Sequence, residues 1–357
     1  MTGALVLVTG TGRSGTSTVS GSMHYLGLHV PGPYLGANKS NPKGFFESSW
    51  AVKFHKELTV AARIDGFDSR PGALQRAKDA VTPELRARLV EFLRVHASSP
   101  QVVVKDPRSV WAQRLWKEAA ADVDLEIRYL SMLRHPAEVV GSRTTYYASK
   151  ADQAAQLHYQ TINVARWVNS SLISERETRG EKRTFVPYTD LLDDWRPVLR
   201  RVADELGLTL NSDLARDEHH PVDDFIDPGL RRHQVTWDDL KTPRELRDVA
   251  QRVWDEQMVL CRTGGVDHEC SARLDRLGEE YSRILTEAAA ISHDAVEEAR
   301  QDARRAGAHE AREQAAKQAD KTRARAVPIE ERALRDVGGR DLLRHAAERA
   351  VRRLRRS

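Results

Sequence analysis

Cysteine is nearly absent from this chain: 357 residues hold two, Cys261 and Cys270. No disulfide framework is indicated, which suits a reducing cytoplasm, although one bridge between the two stays open. Long apolar runs are missing as well, and none approaches the roughly 18 residues of a membrane span. Residues 1–10 read as a strand without the basic flank or cleavage site of a secretory leader, so a cytoplasmic location is expected. Lysine is scarce, at 12 of 56 basic residues, an arginine bias of the kind a GC-rich genome produces. Basic charge is also missing from most of the chain. The net +4 belongs to the tail, because residues 321–357 carry twelve Lys or Arg against five Asp or Glu. The first 320 residues therefore sum to about −3, and a body-wide nucleic-acid surface is not implied. What is present is an ordinary soluble composition, 40% apolar and 30% charged. The length allows two average domains or one large α/β domain with additions.

Strands and helices alternate. "ALVLVTG" is a short continuous apolar run ended by Gly10, the mark of a buried strand. Residues 14–27 read as a helix stopped at Gly27, and residues 31–47, rich in Pro, Gly and Asn, as a loop. "QVVVKDP" and "LEIRYLSMLRHP" are further strands cut off by Pro107 and Pro136, since proline cannot continue a ladder. Helices follow over 109–121 and through Arg143, then a long one over 152–178. "KRTFVPYTDLL" is a fourth strand leading into a helix over 193–206. This order predicts an α/β fold of P-loop type: a mostly parallel sheet flanked by helices, with a C-terminal helical extension. The expected domains are 1–265 and a helical, basic extension over 266–357. In that extension Leu274, Leu277, Tyr281 and Leu285 recur at helical steps, and Leu343, Ala347, Val351 and Leu354 form a later stripe among arginines.

The segment with most chemistry in it is "VTGTGRSGTSTV", residues 8–19. Gly10, Gly12 and Gly15 let the backbone approach an anion, and the helix start beyond them presents free N–H groups. Ser14, Thr16, Ser17 and Thr18 add hydroxyls. A kinase loop reads G-x-x-x-x-G-K-[ST], its lysine spanning the β and γ phosphates with Mg²⁺ beside it. Here Thr16 stands where that lysine belongs, and the cation comes instead from Arg13 on the loop's flank.

These residues resemble the sulfotransferases that use 3′-phosphoadenosine 5′-phosphosulfate (PAPS). The family's 5′-phosphosulfate loop, a basic residue followed by Ser/Thr-Gly-Thr-Ser/Thr, matches Arg13, Ser14, Gly15, Thr16 and Ser17. Its 3′-phosphate element, a strand ending in Arg with Ser eight residues later, matches Arg134 and Ser142 in "LRHPAEVVGSR". The resemblance covers residues 5–240, in which "VVVKDPR" and "NPKGFFE" are similar to segments of its protein-tyrosine and bacterial branches. It implies Tyr188 of "VPYTDLL" near the adenine and Arg231 and Arg232 of "FIDPGLRRH" in a loop closing over the nucleotide, with Gly12 also lining the donor. The best-known cytosolic branch carries a catalytic His after its second strand. This chain has Asp106, Pro107 and Arg108 there, so that mechanism does not carry over.

For catalysis the expected groups are Arg13 and Lys105, stabilising charge on the oxygen between sulfur and phosphorus, and Glu47 as base. Phe45 and Phe46 precede Glu47 and would form an apolar shell raising its pKa. Asp106 is the second candidate, held ionised by Lys105 or Arg108, and His55 the third. Acceptor contacts are expected from Asp106, Arg108, Tyr146, Tyr147 and His158, with Tyr159 and Trp167 equally readable as helix packing. No metal is expected. "VVVKD" resembles an NTPase Mg²⁺ strand only superficially, and "DEHHPVDD" follows no zinc pattern.

The expected function is transfer of a sulfuryl group from PAPS to a hydroxyl of a carbohydrate, glycolipid or small natural product, leaving adenosine 3′,5′-bisphosphate. A nucleotide or sugar kinase is the competing enzyme class, and a non-enzymatic nucleotide-binding scaffold the third reading. For the tail, weak membrane-surface contact, a homodimer through the helical arm and a lesser nucleic-acid role all stay open.

Overall fold

Why β1 is buried on both faces follows from where its neighbours lie. In the computed structural model, which describes residues 3–38, 41, 43–148, 152–216, 218–227, 229, 235–326 and 338–354, β1 (Gly3–Thr9) has a strand on either side. β2 (Gln101–Lys105) pairs with it in parallel, Val6 opposite Val103. β3 (Leu125–Leu133) pairs on the other side, Val6 opposite Arg128, and β4 (Arg183–Pro187) completes the order β2-β1-β3-β4, parallel throughout.

The strands' two-residue period divides the core. Val6, Val8, Val103, Leu130 and Met132 face α1 (Thr16–Tyr25) on one side of the sheet. Leu5, Leu7, Val102, Val104 and Tyr129 face the other, against α2 (Ser49–Ala61). Next in the chain are α3 (Ala73–Asp79) and α4 (Pro83–His96), the latter capped by Thr82, whose hydroxyl accepts from the Leu85 amide at 3.2 Å. The helix expected over 109–121 is broken at Ala112 into a 3₁₀ turn, Pro107–Trp111, and α5 (Gln113–Ala121). α6 (Pro136–Tyr147) and α7 (Gln153–Glu177) follow β3. After β4 come α8 (Tyr188–Asp193), α9 (Trp195–Leu206) and α10 (Pro221–Phe225). α11 (Arg244–Arg262), to which the sequence reading assigns no element, packs Leu246, Val249 and Val253 into a third core cluster with Leu133, Val168 and Phe185.

Both borders of the sheet are occupied. Along β2, the His29 amide donates to the Gln101 carbonyl at 3.0 Å and the Val103 amide to the His29 carbonyl at 2.8 Å. At β4, the Phe185 carbonyl accepts from Arg201 Nη2 at 3.1 Å and Cys261 Sγ at 3.2 Å, and Arg183 Nε donates to the Gly265 carbonyl at 2.8 Å.

α12 (His268–Ile291) buries Cys270, Leu274, Leu277 and Tyr281 in the third cluster, the expected stripe. Tyr281 Oη lies 2.6 Å from the Ser69 carbonyl, and Arg179 pairs with Asp275 at 2.8 Å. The first compact unit runs through Thr286. The second unit, Glu287–Ser357, holds α13 (His293–Ala326) and α14 (Gly339–Leu354).

Candidate active site

Strand order places the site. In an open parallel sheet ligands bind beyond the strand C-termini where the winding reverses, and in the order β2-β1-β3-β4 that point lies between β1 and β3. The glycine loop leaves β1 there, and Arg134 follows the end of β3.

Two glycines make the loop possible. Gly10 has φ +120°, and a Cβ on it would stand 2.6 Å from the Met132 carbonyl. Gly15 has φ +83°, and a Cβ there would meet the Tyr188 ring at 2.1 Å. Gly15 is also the N-cap of α1 and offers no capping side chain, so the first-turn amides of Thr16, Ser17 and Thr18 have no intrahelical acceptor. Arg13 holds the left-handed region too, at φ +78°, a conformation that needs support for a side chain of that size. The support comes from β3: Arg134 Nη1 donates to the Arg13 carbonyl at 3.0 Å, and Arg13 Nε donates to Ser142 Oγ at 3.2 Å. The Thr11 and Ser14 hydroxyls lie 2.6 Å apart, closing the turn.

Arg134 is 6% exposed and held on two sides. Its Nε donates to Glu138 at 3.0 Å, and the guanidinium lies 5.1 Å from the Tyr188 ring centroid. Its Nη2 is buried and has no partner among the described residues. Burial raises the Tyr188 hydroxyl above the ordinary tyrosine value.

Lys105 joins the loop to Glu47. Its Nζ donates to Glu47 Oε1 at 2.5 Å and to Ser17 Oγ at 3.0 Å, and Lys105 is 2% exposed. Burial pushes this ammonium below the usual lysine value, and the Glu47 carboxylate opposes the shift. The expected apolar shell around Glu47 is replaced by this ion pair. Phe46, at φ +48°, packs instead beside Phe225 and Tyr34, with ring centroids at 5.2 and 5.9 Å.

Asp106 is fully buried, and His55 Nδ1 lies 2.9 Å from its Oδ2. Trp116 Nε1, which can only donate, gives its proton to His55 Nε2 at 2.8 Å, so the His55 proton sits on Nδ1 and points at Asp106. Burial drives the Asp106 carboxyl up, but His55 and Arg108 outweigh it and hold it below the usual aspartate value. The Asp106 oxygens and both His55 ring nitrogens are thus engaged within the protein. They steer Arg108, whose Nε donates to Asp106 at 3.1 Å and whose Nη2 lies 3.9 Å from Glu47.

The sequence-predicted donor residues Gly12, Arg13, Ser14, Gly15, Thr16, Ser17, Arg134, Ser142 and Tyr188 thus converge with Lys105, Glu47, Asp106 and Arg108. His158 is exposed near the start of α7, and Trp167 is a core residue at 3% exposure. Tyr146 and Tyr147 lie in the last turn of α6, their side chains outside the described set. Arg231 and Arg232 fall outside the described residues. The His219–Asp224 segment serves α10: His220 accepts from the Val222 amide, and Asp223 receives Trp195 and Arg196. Arg143 and Phe67 were not foreseen. The Arg143 guanidinium lies 4.7 Å from the Phe67 centroid, donates to Asn163 at 3.0 Å and borders Gly12. Arg143 adjoins Ser142 in sequence, but nothing local marks Phe67.

No protein-family model matches the chain, and no curated protein matches it. Among solved structures it is similar to the sulfotransferase domain of the Synechococcus PCC 7002 olefin synthase, at 17% identity and TM-score 0.36 over 75% of this chain and 97% of that one. A sulfotransferase domain from the curacin biosynthetic pathway gives 15% and 0.38 over 72% and 98%. Sulfotransferase STF1 from Mycobacterium tuberculosis H37Rv gives 12% and 0.38 over 71% and 77%. Likenesses this distant assign no activity to this chain.

Proposed function

We propose that the chain is a sulfotransferase that moves a sulfuryl group from PAPS to an acceptor hydroxyl on a carbohydrate, glycolipid or small natural product. The observation that carries this is the pairing at the sheet's switch point. A glycine loop without the kinase lysine meets a buried arginine from the next strand that keeps one N–H edge unpartnered among the described residues. The loop amides and hydroxyls suit the 5′-phosphosulfate, and Arg134 with Ser142 suits a 3′-phosphate. A triphosphate would want Mg²⁺ and a lysine at Thr16.

In the reaction the acceptor oxygen bonds to sulfur as the bond from sulfur to the phosphate oxygen breaks, and the acceptor proton passes to Glu47. Lys105 stands between the loop and this base. An anionic donor competes with Glu47 for the ammonium. As charge grows on the departing oxygen Lys105 turns to it, which frees the Glu47 carboxylate to take the acceptor proton. Arg13 adds a second cation on the leaving side, and Arg108 borders the acceptor. The product is adenosine 3′,5′-bisphosphate.

Titration calorimetry tests the reading. Adenosine 3′,5′-bisphosphate should bind without metal and more tightly than ATP, with or without Mg²⁺. Tighter, Mg²⁺-dependent ATP binding would favour the kinase class and end this proposal.

A further inference from the structure

We propose that α14 is a peripheral anchor that lies along an anionic lipid surface. The argument begins with angular order. At about 100° per residue, Leu342, Leu343, Ala346, Ala347, Val351 and Leu354 fall within one half of the helix circumference. Arg344 and Arg349 border that half, Arg340 and Arg353 lie just inside its two margins, and the charge-free arc between them holds Leu343, Ala346, Ala347 and Leu354. The helix's two acids, Asp341 and Glu348, share the opposite pole with Arg352.

The described residues of the apolar half are exposed. Leu343 is 73% exposed and Leu342 37%, and Ala346 and Ala347 are exposed, whereas Asp341 and His345 are half-buried. The pair of Arg344 with Glu348, at 3.4 Å, is itself exposed and holds little. α13 precedes this helix as a charged, largely exposed rod about 50 Å long.

A nucleic acid would have no use for exposed leucines. A second copy of the chain would set arginine flanks against arginine flanks along the stripe. A bilayer with anionic headgroups answers each feature. Acyl chains take the leucines, the long arginine stems carry guanidinium groups to phosphates at both margins, and the acids lie on the face away from the lipid. Alanine fills much of the stripe, so the attachment is shallow and reversible. This inference does not depend on the sulfotransferase proposal.

Co-sedimentation of the full chain with phosphatidylglycerol–phosphatidylcholine vesicles, beside phosphatidylcholine alone, tests it without reference to turnover. Binding is expected to the first only and to weaken as salt rises. Leu343→Glu should weaken it roughly tenfold or more, and Leu343→Trp should tighten it with a blue shift in emission. No sedimentation with anionic vesicles, or binding indifferent to Leu343→Glu, overturns the proposal. So does vesicle-free self-association that Leu343→Glu abolishes, which gives the stripe to a second copy. Binding to a DNA duplex equal in affinity to vesicle binding and unchanged by Leu343→Glu also overturns it, as a general affinity for polyanions.

Discussion

Arg134 gives the sharpest test of the donor site, because its neighbours define what its loss does. Nε is tied to Glu138 and Nη1 to the Arg13 carbonyl, each at 3.0 Å, and the buried Nη2, without a partner among the described residues, is the edge proposed to meet the 3′-phosphate. A hydrogen bond between a charged donor and a phosphate contributes about 1.5–3 kcal/mol, so its removal should weaken binding roughly ten- to a hundredfold. Truncation to alanine would do more than this. Glu138 is 7% exposed, and stranding a buried carboxylate costs about 3–5 kcal/mol of stability, enough to hide a binding defect behind a folding one. Arg134→Gln combined with Glu138→Gln removes both charges together, and Glu138→Gln alone serves as the reference. Calorimetry then compares adenosine 3′,5′-bisphosphate with adenosine 5′-monophosphate. The bisphosphate should lose the ten- to a hundredfold, while the monophosphate changes by less than about threefold. Equal losses for both nucleotides, or none for either, would refute the assignment of Arg134 to the 3′-phosphate.

Glu47→Gln should lower the turnover of sulfate transfer about a hundredfold or more while bisphosphate affinity holds or tightens, since Lys105 loses a competing partner; unchanged turnover removes Glu47 as the base. Gly15→Ala forces a side chain onto φ +83° and into the Tyr188 ring. Differential scanning calorimetry should show Tm falling by about 5 °C or more, and an unchanged Tm would mean the loop is differently built. Asp223 has its pKa lowered to about 2, burial being outweighed by Arg196, the His220 amide and Trp195. The native carboxylate binds its proton more weakly than the unfolded one. Its contribution, about 1–2 kcal/mol after screening, is therefore whole above pH 4 and lost as pH falls toward 2. Urea titrations should show wild type losing its margin over Asp223→Asn across that window, and a margin constant in pH contradicts the assignment.

What the sequence displays and what it conceals divide by distance along the chain. β1, the glycine turn and Arg134 after β3 are legible because each is a local pattern, an apolar run stopped by glycine or proline. α11 carries an open helical period in Leu246, Val249, Ala250 and Val253, yet with no motif attached it draws no assignment. The Lys105–Glu47 pair spans 58 positions, and no spacing rule forecasts it. Glu47 was expected among aromatics because Phe45 and Phe46 precede it. The left-handed backbone at Phe46 accompanies a ring packed toward Phe225 and a carboxylate paired with the ammonium. His55 is the plainest case. As a letter it is a candidate base, and only the approach of Trp116 from 61 positions away occupies its Nε2 and turns its proton toward Asp106.

The sealed borders of the sheet bear on how copies of this chain can meet. A parallel sheet with bare rims is a template onto which a stranger's backbone can zip. Here a newcomer at β4 would have to evict Arg201 and Cys261 from the Phe185 carbonyl, and one at β2 would have to peel away the segment around His29. Growth by adding strands is closed at both ends, so a partner has to approach this protein by some surface other than the rim of its sheet.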